Sequence, residues 1–92
     1  MINKYVAPTL NEIRSGMTNL QRKDFRLKLK AAGVNTSTIQ TFLEQIEDED
    51  LREDFEIEWE DETEFNRMDP FVVALFEYAG IAPEQADIIW EE

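Results

Sequence analysis

Between Glu47 and Phe65 the chain reads EDEDLREDFEIEWEDETEF, twelve carboxylates and one arginine in nineteen residues, with Leu51, Phe55, Ile57, Trp59 and Phe65 set among them. No other stretch limits the fold as tightly, because the carboxylates require water while the aromatics require burial. A helical period satisfies both: Leu51, Phe55 and Trp59 share one face with Phe65 at its margin, and Glu49, Glu53, Glu56, Glu60 and Glu64 line the opposite side. Glu58 and Glu62 intrude on the apolar face. At a period of two, FEIEW alternates without a break, which is a strand pattern. An isolated strand leaves its backbone groups unpaired, and nothing else in the chain offers a pairing partner, so the helix is the preferred reading.

The rest of the sequence is punctuated as short helices. VAPTLNEIRSG predicts a first one, with Pro8 where its missing N–H costs nothing and Gly16 just past the end. Thr18 and Gln21 have the spacing of a capping box, which predicts a helix from there to Ala32, stopped by Gly33. On it, Phe25, Leu29 and Ala32 form one apolar stripe and Leu20, Leu27 and Ala31 a second, nearly opposite. Arg22, Lys23, Arg26 and Lys30 fill the flank between them, so the helix is expected to pack on two sides and to show a basic edge.

Ser37 and Gln40 repeat the capping spacing, and Ile39, Phe42, Leu43 and Ile46 then fall at i, i+3, i+4 and i+7, the plainest amphipathic signal in the chain. In MDPFVVALFEYAG, Asp69 caps, Pro70 opens and Gly80 stops a helix that is apolar nearly all round, as a central helix would be. A last helix from Pro83 points Ile89 and Trp90 back toward Ile81. The fold class expected is all-α, a compact single-domain bundle of about five short helices spanning 1–92, with 1–17 as an N-terminal extension and 18–92 as the core. Its interior should draw on Phe25, Leu29, Phe42, Leu43, Ile46, Leu51, Phe55, Trp59, Phe71, Val72, Leu75, Phe76, Ile89 and Trp90.

Composition bears on what such a domain can do. At 92 residues it buries only roughly 60–65% of its unfolded surface, so one modest core is the ceiling. Its apolar content of 42% and aromatic content of 11% argue against disorder, despite a net charge of −12. Without cysteine or histidine there are no disulfides, thiolate or imidazole metal sites, thiol nucleophiles or imidazole bases. The start of the chain has no apolar run long enough for a signal peptide, and no segment approaches the ~20 apolar residues of a spanning helix. A soluble protein that stays where it is made, with no membrane partner, is expected.

The charge is unevenly placed. Up to Ile46 seven basic residues face three acidic ones; beyond it two face eighteen. That polarity disfavours direct contact with nucleic acid and favours cationic protein surfaces. Carboxylates three and four residues apart suggest a cation site, but from Asp48 onward the loop glycine of an EF-hand is missing and its twelfth position is Trp59. A di-iron bundle would require Glu-x-x-His. No metal site, cofactor or catalytic residue is therefore expected, and the protein reads as a non-enzyme.

Three uses of the acidic ridge remain: solubility, imitation of the phosphate rows of DNA, and contact with a neighbour. The ridge Glu49, Glu53, Glu56 and Glu60 complements the basic edge Arg22, Lys23, Arg26 and Lys30, within one chain or head to tail in a homo-oligomer. Exposed ion pairs contribute only ~0–1 kcal/mol each, so such a contact needs an apolar anchor. Ile57, off the apolar stripe and beside the ridge, is the candidate, unless a neighbouring helix covers it.

The order of these elements, FRLKLKAAGV, IEDEDLRE, IEWEDETEFNRMDPFVVAL and then GIAPEQADIIW, resembles small helical proteins encoded in bacteriophages and prophages near tail or tail-fibre genes. The resemblance spans residues 18–92 and rests most on Trp59, Glu60 and Asp61, followed by Phe65, Arg67 and Asp69-Pro70. The first seventeen residues and the density of acid in the central block depart from the pattern. The resemblance carries over no catalytic residue. It implies a virion component or tail-assembly factor that acts by protein–protein contact in the host bacterial cytoplasm, with incorporation into the virion as one outcome. The alternative is a phage-encoded inhibitor of a host nucleic-acid-binding or defence protein, with the acidic helix as a DNA mimic.

Overall fold

The computed structural model describes residues 9–92. Six helices follow one another: α1 (Leu10–Ser15), α2 (Arg22–Ala31), α3 (Thr36–Glu44), α4 (Glu49–Asp61), α5 (Pro70–Tyr78) and α6 (Pro83–Glu91). Two short strands, β1 (Leu20–Gln21) and β2 (Glu64–Phe65), pair antiparallel with Leu20 opposite Phe65 and Gln21 opposite Glu64. The architecture is mostly α and forms one domain, as the punctuation implied.

Local chemistry accounts for most helix ends. Thr9, Asn35 and Asp48 each accept hydrogen bonds at the N-terminus of α1, α3 and α4, Asp48 from the amides of both Asp50 and Leu51 at 3.0 and 3.1 Å. Gly33 and Gly80 take φ of +89° and +73°, and behind them the Val34 amide reaches the Leu29 carbonyl and the Ile81 amide that of Phe76. Those long backward bonds satisfy the last carbonyls of α2 and α5 and turn the chain sharply.

The core is a chain of rings. Phe71 of α5 lies 5.6 Å from Phe55, 5.8 Å from Trp59, 6.1 Å from Phe42 and 6.3 Å from Phe65; Phe25 of α2 continues the chain to Trp90 at 5.5 Å. Phe25, Phe65 and Phe71 are almost completely enclosed, and Leu29, Val72 and Leu75 fill the space between them. Central α5 and amphipathic α3 stand as expected, with Ile39, Phe42 and Leu43 buried.

Several expectations are corrected. The Thr18–Gln21 spacing caps nothing: Gln21 precedes α2 without a side-chain cap, residues 20–21 form β1, and the Thr18 carbonyl instead accepts from Trp90 Nε1 at 2.9 Å. Ser37 does not begin α3, which Asn35 caps. The acidic helix ends at Asp61, because Phe65 is buried through β2 rather than along a helix margin; a two-residue pairing partner did exist, in β1. Leu51, on the first turn of α4, is 42% exposed and so outside the core. The second stripe expected on α2 packs only in part: Leu20, which lies on β1, sits against the core, whereas Leu27 is 53% exposed and Ala31 is also exposed. The role expected of Pro8 lies outside the described residues.

Candidate functional site

The thirteen residues of α4 put their aromatics inward and nearly all their charge outward. Phe55 and Trp59 are buried, whereas Glu49, Glu53, Glu56 and Glu60 are exposed. Ile57 is 51% exposed, so no neighbouring helix among the described residues covers it. Its surface neighbours follow from helix geometry: Glu53 and Asp54 stand one turn before it, Glu60 and Asp61 one turn after, and all four are exposed. Ile57 is thus an apolar knob inside a ring of carboxylates. Sequence reasoning placed it beside the ridge and missed Asp54 and Asp61, although their i−3 and i+4 spacing to Ile57 was legible. Glu64 does not belong to this face; it is exposed on β2, opposite Gln21.

The ring is not neutralised from within. Among the described residues the one ion pair on α4 joins Arg52 to Glu56 at 3.8 Å, both half in solvent. Like charges four apart, Glu49–Glu53, Asp50–Asp54 and Glu56–Glu60, each weaken a helix by about 0.2–0.5 kcal/mol. Acid in the last turn, Glu60 and Asp61, also opposes the helix dipole. The face is therefore built at some expense to the helix that carries it.

The basic edge comes up against α4 but not against its carboxylates. The Arg22 guanidinium donates to the backbone carbonyls of Glu60 and Glu62, and the Arg22 amide donates to Thr63 at 2.9 Å, extending the β1–β2 ladder. Arg22 thus satisfies the negative end of α4 that the sequence leaves without a basic residue. The Arg26 guanidinium lies 4.9 Å from the centre of the Trp59 ring, a cation–π contact. These two arginines line a groove of about 390 Å³ between α2, α3 and α4 together with Glu44, Glu56 and Glu60, without forming an ion pair with them. Lys23 and Lys30 remain exposed.

Glu58 behaves unlike the other acids of α4. Partly buried beside Asp69, the residue ahead of α5, its carboxyl is pushed up from 4.5 to about 7, first by loss of hydration, then by the charge of Asp69 and a shared hydrogen bond with it, and by Glu62. Asp69 stands at the N-cap position of α5, but its side chain makes no cap bond. It accepts from the Asn66 amide at 3.0 Å, while Asn66 in turn donates to the Ser15 carbonyl and to Asn19 Oδ1. The turn 66–69 is in this way tied to the segment between α1 and β1.

A second charged cluster was not foreseen. Asp87 on α6 is held by two arginines, Arg14 Nε at 2.9 Å and Arg67 Nε at 2.9 Å, whose side chains are only 10% and 4% exposed. It joins α1 to α6 and to the turn before α5. The signals were faint: Arg67 is one of two basic residues in the acidic half, and Arg14 is buried on α1 while Leu10 and Ile13 are exposed, the reverse of what hydropathy suggests.

Among the described residues no three carboxylates converge as metal ligands would, and no helix is long and apolar enough to cross a membrane. Comparison with known protein families, curated proteins and solved structures found no match.

Proposed function

We propose that the protein acts by docking the outer face of α4 onto a cationic protein surface, without catalysis. The observation that carries this reading is Ile57, exposed at the centre of four exposed carboxylates. Charge alone steers and orients an encounter, whereas an apolar side chain that enters a pocket gives it affinity. The partner is expected to offer an apolar recess bordered by lysine or arginine.

The resemblance to phage tail-region proteins suggests which partner this is: a tail or virion protein, with the present chain as an assembly factor or minor component. The second reading, a decoy for a host nucleic-acid-binding or defence protein, draws on the same face, since Glu49, Glu53, Glu56 and Glu60 make a regular negative ridge.

Reversing Glu53, Glu56 and Glu60 to lysine separates these ideas. Loss of a salt-sensitive partner, with the helical circular-dichroism signal and melting temperature retained, supports docking through α4. A partner recovered from purified virions favours assembly, whereas a nucleic-acid enzyme displaced by added duplex DNA favours the decoy. Equal binding by parent and variant would sink both.

A further inference from the structure

The arginine pair that grips Asp87 also borders a cavity. Arg14 and Arg67 line a space of about 440 Å³ whose apolar wall is Met68, Val73, Phe76 and Ile81. A guanidinium carries five N–H donors. Arg14 uses one of them, its Nε–H, which is shared between the two Asp87 oxygens at 3.0 and 2.9 Å. Arg67 uses its Nε–H on Asp87 at 2.9 Å and one terminal N–H on the Pro83 carbonyl at 3.2 Å. The remaining terminal donors of both meet no protein acceptor among the described residues, yet no buried side-chain nitrogen is sealed away without a partner. Among the described residues, the space that both side chains border is this cavity, where those donors can meet a ligand.

Asp87 takes both arginines through Nε, so apart from the Arg67–Pro83 bond their terminal N–H groups have no acceptor among the described residues, although a carboxylate bound to the fork of an arginine usually takes two of its N–H groups. Arg67 is fixed further by the Phe76 ring, 5.5 Å from its guanidinium carbon. The two guanidinium groups share one carboxylate, so a second anion can be received without displacing the first. Glu77 also lines the cavity and is exposed, so it repels the charged end of a ligand and directs it toward the arginines.

We propose that this cavity binds a carboxylate carried on a compact apolar body, the carboxylate on the free N–H groups of Arg14 and Arg67 and the body against Val73, Phe76 and Ile81. Its volume suits a small organic acid or the last residue of a peptide. This site is separate from the α4 face and does not rest on it.

Nuclear magnetic resonance titration with benzoate tests it, read at the Arg14 and Arg67 Nε–H signals and the Val73 and Ile81 methyl groups. Benzoate is expected to shift these signals saturably, and benzamide and inorganic phosphate to leave them in place. Arg14→Lys should weaken binding at least tenfold. Asn11→Trp, at an exposed α1 position on the cavity rim, should abolish it with the melting temperature unchanged; because it leaves both arginines intact, it keeps the test valid if Arg14→Lys unfolds. A short peptide ending in phenylalanine that binds tighter than benzoate, and loses this on amidation of its C-terminus, assigns the site to peptide ends; weaker binding by the peptide assigns it to free small acids. Equal shifts by benzamide or phosphate, no shift with benzoate, or undiminished binding in Asn11→Trp would overturn the proposal.

Discussion

The molecule treats charge in two opposite ways. At the junction of α1, α6 and the 66–69 turn, Arg14 and Arg67 are largely withdrawn from water and both donate to the partly buried Asp87. On α4, a larger number of charges stand in water around Ile57 with one weak ion pair among them. The first group is tied to stability, because a buried ion without its partner is expensive. The second is not: it repels itself along the helix and opposes the dipole at the C-terminus. A charged feature that weakens its own helix is better explained by what it meets outside.

Breaking the buried group should have the largest effect. Asp87→Ala leaves two enclosed guanidinium groups uncompensated and is expected to cost about 3 kcal/mol, measured by urea denaturation. A loss below 1 kcal/mol would place those arginines in water and erase the contrast. Trp59→Ala, beneath the acidic face and against Phe71, should cost roughly 3–5 kcal/mol at the upper end for a full cavity. A variant melting like the parent would mean that α4 does not pack as a helix on its aromatic side.

Glu58 is the point where the two treatments of charge meet. Its folded pKa is about 7 against an ordinary 4.5, so between those values the folded protein holds a proton that the unfolded chain releases. Its contribution is therefore complete below about 4.5 and is lost as pH rises through 7. After allowance for its partial exposure, the loss is of order 1 kcal/mol. Glu58→Gln should flatten the melting-temperature profile between pH 5 and 8 relative to the parent. An identical profile would show that Glu58 is fully hydrated.

The smallest expected change is on the outer face. Glu53→Lys converts repulsion with Glu49 and Glu56 into attraction and should leave stability equal or raise it by about 0.5 kcal/mol. A loss above 1 kcal/mol would mean that the ridge serves the fold.

Much of this was legible in the sequence, and the failures have physical causes. Gly33 and Gly80 marked helix ends because a positive φ suits glycine best, and Ile39, Phe42 and Leu43 marked a buried face because no other period fits them. Thr18 and Gln21 misled because a capping spacing is short-range, while the burial of Phe65 through a two-residue ladder is decided by contacts over forty residues away in sequence. The same limit hid the Arg14–Asp87 pair, whose partners are separated by 73 positions. The acidic ridge was readable since a helix face depends only on local spacing. Whether Ile57 was covered depended on every other element.

The most direct test is photocrosslinking in the producing cell, with a benzophenone amino acid at position 57 and, as control, at exposed Ser37 on α3. The predicted result is one discrete protein adduct from position 57, lost when Glu53 and Glu60 are reversed to lysine, and none from position 37. An adduct from 37 alone, or one from 57 that survives the charge reversal, would contradict docking through the acidic face.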